Sequence, residues 1–323
     1  MKILKKLTYV LCILSLVLFV SCATNNKSTK PKLTKMQERM LWKISGTDKN
    51  GKESTIYVQG TIHLGDERLV VSDKVKKLFL SADRRIGEIA SNEYSQIQAK
   101  TAEMMIDSIN TAANKDFRKE LSEKQNAFLQ SVFQKEMLEQ YALFEPWVIN
   151  IVLTSSVVVT AGLDANKALD VYFINLATEN NLDTKGLDTL QTQLDIIKFG
   201  NWDEQIIFLS ETINSLSDDE EFKKATNEIK DLYESYIADD ITKISELIDS
   251  SKENAKSDIE KQYNKIIWHD RNESWAKQIA QYLKDGGTTF IFAGAGHFVG
   301  KDSVFSIMQK NKQLELSLET TQN

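Results

Sequence analysis

The chain has 323 residues, with 40 Lys and Arg against 46 Asp and Glu and a formal charge of −6. Nothing basic is concentrated enough to neutralise a run of phosphates, which excludes nucleic acid as a partner. Two cysteines and two prolines leave no room for a disulfide framework, and with no Gly/Ser-rich linker they mark no second domain boundary.

In chain order, residues 1–21 read as a lipoprotein signal peptide. Lys2, Lys5 and Lys6 form a basic start, and Leu7 to Val20 is almost wholly apolar. That run is too short for a spanning helix, which needs roughly 20 residues. It closes at Ser21-Cys22, a small residue before a lone cysteine that resembles a bacterial lipobox. The alternative is an ordinary cleaved signal or an uncleaved anchor. Cleavage removes Cys12 and three lysines, leaving Cys22 as the only thiol and lowering the formal charge to −9. A diacylated Cys22 anchors a chain stably where one acyl chain does not. The expected location is the bacterial cell envelope, on a membrane, facing outside the cytoplasm.

Residues 22–40 are polar and contain Pro31, which predicts a flexible tether. Residues 41–320 are expected to form a single domain. Within it, Met40 to Ser45 and Ser54 to Gln59 predict a hairpin across an Asn50-Gly51 step. Ser72 to Ala82 predicts a helix capped by Ser72. Arg85 to Ile89 and Thr184 to Leu187 predict short strands, with helical text over about 95–180 and again over 189–285. Thr288 to Ala293 predicts a buried strand running into Gly294.

Several features have plain explanations. Ser217-Asp218-Asp219-Glu220 lacks the alternating spacing of a calcium loop and reads as a capping box with Ser217 as cap. Ile149 to Thr160 reads as a buried helix or strand. No G-x-S-x-G elbow occurs, so a serine hydrolase is excluded, and Gly294-Ala295-Gly296 lacks the continuation of a dinucleotide loop. His269 reads as a structural or surface residue.

Two of the three histidines share one frame at opposite ends of the body: Gly60-Thr61-Ile62-His63 and Gly294-Ala295-Gly296-His297. Each follows an apolar, β-branched or aromatic run, and the glycine lets the backbone turn without a Cβ clash. If the two strands are neighbours in one sheet, both imidazoles leave the same edge and can share an ion.

Tyr57 to Gly65 and Phe292 to Gly300 closely resemble the paired signatures of the TraB/GumN family, which includes the Tiki metal-dependent proteases. Ser81-Ala82-Asp83 leading to Ile86-Gly87-Glu88-Ile89, Glu145-Pro146-Trp147, Gly162-Leu163-Asp164, Gly186-Leu187-Asp188-Thr189-Leu190-Gln191 and Asp270-Arg271-Asn272-Glu273-Ser274-Trp275-Ala276 follow in the family's order. Asp188 stands where the family more often has Glu.

The resemblance implies an α/β (α+β) fold with a central mixed β-sheet, a large helical insertion and the two GxxH motifs at strand ends. It implies a divalent-metal site, manganese or cobalt favoured and zinc possible, with His63, His297 and Glu88 as ligands. Glu88 serves as third ligand or general base, and Arg271 stabilises an oxyanion or holds a substrate carboxylate. Asp164 and Asp188 orient ligands or bind substrate, or else cap turns. The expected function is a lipid-anchored, extracytoplasmic, metal-dependent hydrolase of the peptidase kind, with an activated water attacking a peptide bond. The alternative is a non-catalytic lipoprotein that binds a peptide or signalling factor in the same cleft. A third reading is a structural envelope protein with a relic site.

Overall fold

The computed structural model describes residues 30–316 except 254 and 256; the signal segment 1–21, Cys12 and Cys22 lie outside the described residues. The expected tether over 22–40 is structured in its second half. Lys32–Lys35 form strand β1, because Leu33 is buried among polar neighbours and that single apolar side chain is enough to seat a four-residue strand.

Strand β2 (Leu41–Thr47) and strand β3 (Glu53–Thr61) form the expected antiparallel hairpin. Asp48 closes its turn, accepting from Asn50 N at 2.7 Å and Lys52 N at 2.9 Å, and Gly51 supplies a φ of 79°. Helix α1 (Asp73–Ser81) begins at the expected cap, with Ser72 Oγ accepting from Val75 N. Strand β4 (Arg84–Gly87) follows.

The chain then runs through helices α2 (Ser91–Thr111), α3 (Glu123–Val132), α4 (Lys135–Tyr141), α5 (Pro146–Thr160) and α6 (Leu169–Glu179) to the short strand β5 (Lys185–Gly186). Helices α7 (Leu190–Lys198), α8 (Trp202–Leu216), α9 (Asp219–Ile237), α10 (Ile241–Glu253) and α11 (Asp258–Asn264) come next. A π-helical turn, Lys265–Asp270, leads directly into α12 (Arg271–Asp285). Strand β6 (Gly287–Gly294), a 3₁₀ turn at Ala295–His297, α13 (Val304–Lys310) and strand β7 (Glu315–Leu316) complete the described chain.

Two local expectations need correction. The cap of α9 is Asp218, whose Oδ1 accepts from Glu220 N and Glu221 N, while Ser217 closes the end of α8. Helix α5 is not buried throughout. Ile149, Leu153 and Val157 point inward, whereas Val159 is 74% exposed.

The sheet has seven strands in the order β5-β4-β6-β3-β2-β1-β7. Strands β3, β6, β4 and β5 run parallel, and β1, β2 and β3 are antiparallel to one another in turn. One face is sealed by aromatic rings: Phe79 of α1 and Phe173 of α6 meet Phe290 and Phe292 of β6, with centroids 5.1 to 5.9 Å apart. Helix α12 packs on β3 and β2 through Trp275, Ile279 and Leu283. The helices between β4 and β6 hold a second core, in which Phe117, Leu129, Leu209 and Ile213 are buried.

Register decides where the motifs go. In the parallel β3–β6 pair, Gly60 lies opposite Ala293 and Thr61 opposite Gly294. Both GxxH segments therefore leave the sheet at the same edge, at the carboxyl ends of parallel strands where open α/β sheets place their sites. Strand β4 lies on the other side of β6, with Ile86 opposite Ile291, so Glu88 leaves at that edge as well.

Candidate active site

Neither motif glycine serves the turn as the sequence suggested, since neither has a positive φ. Both serve close approach. A Cβ on Gly60 would meet the Ala295 Cβ at 2.9 Å and the Trp42 ring at 3.1 Å. A Cβ on Gly294 would lie 3.1 Å from Glu88 Oε1, 3.4 Å from His297 Cδ2 and 3.7 Å from His63 Nε2. The missing side chain at Gly294 is thus the floor on which these three groups converge.

His63 stands two residues beyond β3. Its Nε2 is 3.5 Å from Glu88 Oε1 and its Nδ1 is 3.2 Å from Asp170 Oδ1, in the first turn of α6. Leu169 N donates to Ile62 O at 3.0 Å, which brings that turn against the strand exit. The Asp170 carboxylate first, and Glu88 with it, hold the imidazole well above the ordinary histidine value against desolvation. The side chain is 61% exposed, so solvent screens part of that attraction and also has access to the ring.

Glu88 is nearly enclosed, 12% exposed. Gly294 N donates to its Oε1 at 2.8 Å and Arg271 donates from NH2 to its Oε2 at 2.6 Å. Burial alone would raise this carboxyl, but His63 and Arg271 outweigh burial and hold it well below the usual carboxylate range.

His297 is buried between Trp268 and Trp275, with ring centroids 4.9 and 4.3 Å away. Its tautomer can be assigned. Asn272 Nδ2 donates to Asp302 O at 2.8 Å, which turns Asn272 Oδ1 toward His297 Nδ1 at 2.6 Å. Nδ1 therefore carries the hydrogen and Nε2 the lone pair. Burial, then the Arg271 charge, push His297 well below the ordinary value, so the ring is neutral.

Arg271 is nearly enclosed, its side chain 9% exposed. Nε donates to Asp188 Oδ2 at 2.8 Å, NH2 reaches Glu88, and NH1 lies 3.2 Å from His297 Nε2. The guanidinium also lies 4.7 Å from the centre of the Trp275 ring. Asp188 is 5% exposed and accepts from Trp275 Nε1 at 2.8 Å as well. Its main chain is tied to the neighbouring strand exit by Asp188 N to Glu88 O at 2.8 Å.

The structure thus gathers His63, Glu88, Asp188, Arg271 and His297 at one sheet edge, and leaves Asp164 out. That residue caps the Ala165–Lys167 turn through Asn166 N at 2.8 Å, and its backbone bridges Gly65. His269 is exposed beside Asp270, as expected. Sequence reasoning missed Asp170, Asn272, Trp268 and Trp275. Asn272 and Trp275 lie inside the Arg-Asn segment already singled out. Asp170 gave no signal beyond that of an acidic residue in a first helical turn.

His63 Nε2 and Glu88 Oε1 are the facing donors that could hold a cation, with the Asp170 carboxylate against His63 Nδ1. His297 offers the correct tautomer, but its lone pair faces Arg271. Among the described residues no three His, Cys, Asp or Glu side chains stand together as a ligand group.

A model of the TraB/PrgY/gumN family matches residues 40–313. The chain is also 30% identical over 315 residues to an uncharacterised protein of Treponema pallidum (strain Nichols), covering 94% of this chain and 91% of that one. No solved structure matches.

Proposed function

The chain belongs to the TraB/PrgY/gumN family, and from that premise we propose that it is a metal-dependent hydrolase of the peptidase kind. The observation that carries the reading is the convergence of His63, Glu88 and His297 on Gly294, at the carboxyl ends of three parallel strands. These three residues are the ones that would hold a cation, and a bound cation would supply polarisation of a carbonyl and a more acidic water. Asp170 orients His63, and Asn272 fixes the His297 tautomer. Glu88 stays ionised, and Asp188 with Trp275 keeps Arg271 in place. The exposed face of His63 is the side from which substrate enters. We further propose that the mature chain is tied to the cell envelope by acylated Cys22, where its substrates are peptides or proteins outside the cytoplasm.

A second reading, a non-catalytic lipoprotein that binds a peptide or signalling factor, is favoured by one observation. Arg271 satisfies Glu88 and His297 together. Metal analysis of the full chain in detergent separates the two, alongside a His63→Ala/His297→Ala double variant and a peptide-hydrolysis screen. About one manganese, cobalt or zinc per wild-type chain, lost in the variant together with cleavage, is expected. Peptide binding without cleavage, unchanged by the variant, would establish the second reading instead.

A further inference from the structure

The Glu145-Pro146-Trp147 step stands apart from the sheet edge that carries His63, yet it holds a buried carboxylate. Pro146 opens α5 and places Glu145 at its N-cap, where the side chain makes no capping hydrogen bond. The carboxyl, 5% exposed, instead meets Lys198 Nζ at 3.0 Å and Trp147 Nε1 at 3.4 Å. Both contacts fall on Oε2, which leaves Oε1 to a donor from outside. Glu145 lines a cavity of about 450 Å³, a volume in the range that takes small molecules. Lys115 just past α2, Lys198 at the end of α7, and Trp202 and Asp203 at the start of α8 form other walls. Buried Gln205 ties these walls together. It accepts from Trp147 N at 3.4 Å and donates to Lys198 O at 3.1 Å and Gly200 O at 2.8 Å. Asp188 and Lys198 bracket α7, whose nine residues span roughly 14 Å, so the cavity is separate from the His63 edge.

We propose that this cavity binds a small zwitterion of amino-acid or dipeptide size, with its ammonium on Glu145 Oε1 and its carboxylate on Lys115. Two ammonium and two carboxylate side chains line the cavity, so a lone anion or a lone cation meets like charge there. A ligand that carries both signs has an opposite charge for each end. Lys115 is the uncommitted ammonium. Its Nζ lies 4.8 Å from the centre of the Trp202 ring, and it has no carboxylate partner among the described residues. A cation on an exposed ring is held weakly and can turn to an arriving carboxylate. Trp202 also offers apolar surface to the carbon atoms between the ligand's two charges. His63, Glu88 and His297 take no part, so the inference is independent of the function proposed above.

The test is calorimetric titration of L-alanyl-L-alanine into the full chain in detergent, beside its N-acetyl form and its C-terminal amide. Wild type is expected to bind the dipeptide saturably. Each blocked form is expected to bind about tenfold more weakly, since each loses one charge-assisted hydrogen bond. Glu145→Gln keeps the shape, loses the charge and is expected to weaken dipeptide binding about tenfold as well. Lys115→Ala, at an exposed position, shows the same loss and serves if Glu145→Gln does not fold. The His63→Ala/His297→Ala double variant should bind the dipeptide as wild type does. No saturable binding by wild type up to about 10 mM would overturn the proposal. So would equal binding of the blocked forms, or an affinity unchanged in either folded cavity variant. Binding lost only in the double histidine variant would also overturn it, by placing the dipeptide at the sheet edge.

Discussion

Asp170 shows how a contact with a candidate site residue can rest on one side chain with no sequence signature. It lies in the first turn of α6, where a carboxylate suits the helix dipole, and that reading conceals its partner 107 positions away. Its Oδ1 is buried and lacks a well-formed hydrogen bond, yet it stands 3.2 Å from His63 Nδ1. Asp170→Asn keeps the shape and removes the charge that steadies His63. Metal affinity is expected to fall about 10- to 100-fold, the ordinary effect of losing the partner of a metal-bound histidine. Melting temperature of the metal-free chain should change little, because His63 is largely exposed. An unchanged calorimetric affinity would show that Asp170 serves only the dipole of its helix's first turn. The other site residues differ in how legible they were. His63 and His297 could be singled out in the sequence because their Gly-x-x-His frame repeats, and Glu88 because its segment resembles a family element. Asp188, one methylene shorter than the Glu more usual in the family, is still reached by Trp275 Nε1 and Arg271 Nε at 2.8 Å. Trp268 reaches His297 only because a π-helical turn precedes α12, and no composition reveals such a turn.

At the scale of elements, the strand exit carrying His63 is fastened mainly by polar contacts. Gly65 exchanges backbone hydrogen bonds with Asp164 at 3.0 Å in both directions. Beyond it, Asp66 Oδ1 accepts from Tyr233 of α9 at 2.7 Å, and Arg68 bridges Asp66 and Glu234. The Arg68 side-chain hydrogen bond comes first, with Tyr233 aiding and burial opposing. Together they hold the Asp66 carboxyl at about 2 instead of 3.8. A carboxyl depressed by folding stabilises the structure fully above its unfolded value and ceases to do so as pH falls through the folded one. The fastening is therefore intact above about pH 3.8 and lost as pH falls toward about 2. Pepsin, which works in that window, is expected to nick the chain near Leu69 increasingly as pH falls. Asp66→Asn should be nicked at the upper end already. Equal resistance of wild type and variant throughout would mean that the Gly65–Asp164 bridge alone holds the segment.

At the scale of the whole molecule, the hairpin, α1, the short strands and β6 were legible because apolar period and turn residues agree locally. The order β4-β6-β3 was not, since it pairs residues some 200 positions apart and no local signal encodes such pairings. Nor was β1, whose polar sequence conceals one buried leucine. With β1 in the sheet, the polar segment between it and Cys22 is only nine residues long, 23–31. Extended chain spans at most about 3.6 Å per residue, so that segment reaches roughly 30 Å. An acylated Cys22 would therefore hold the sheet within about one domain diameter of the membrane. No described helix is long and apolar enough to cross a membrane. On the proposed lipoprotein reading, membrane attachment depends on Cys22. Cys22→Ala should abolish incorporation of labelled palmitate and move the chain from the membrane to the soluble fraction, with its circular dichroism unchanged in the body. A variant that stays with the membrane through high-salt washing would assign the attachment to an uncleaved signal segment. The sheet edge carrying His63 would then be tethered by the signal segment, not by lipid.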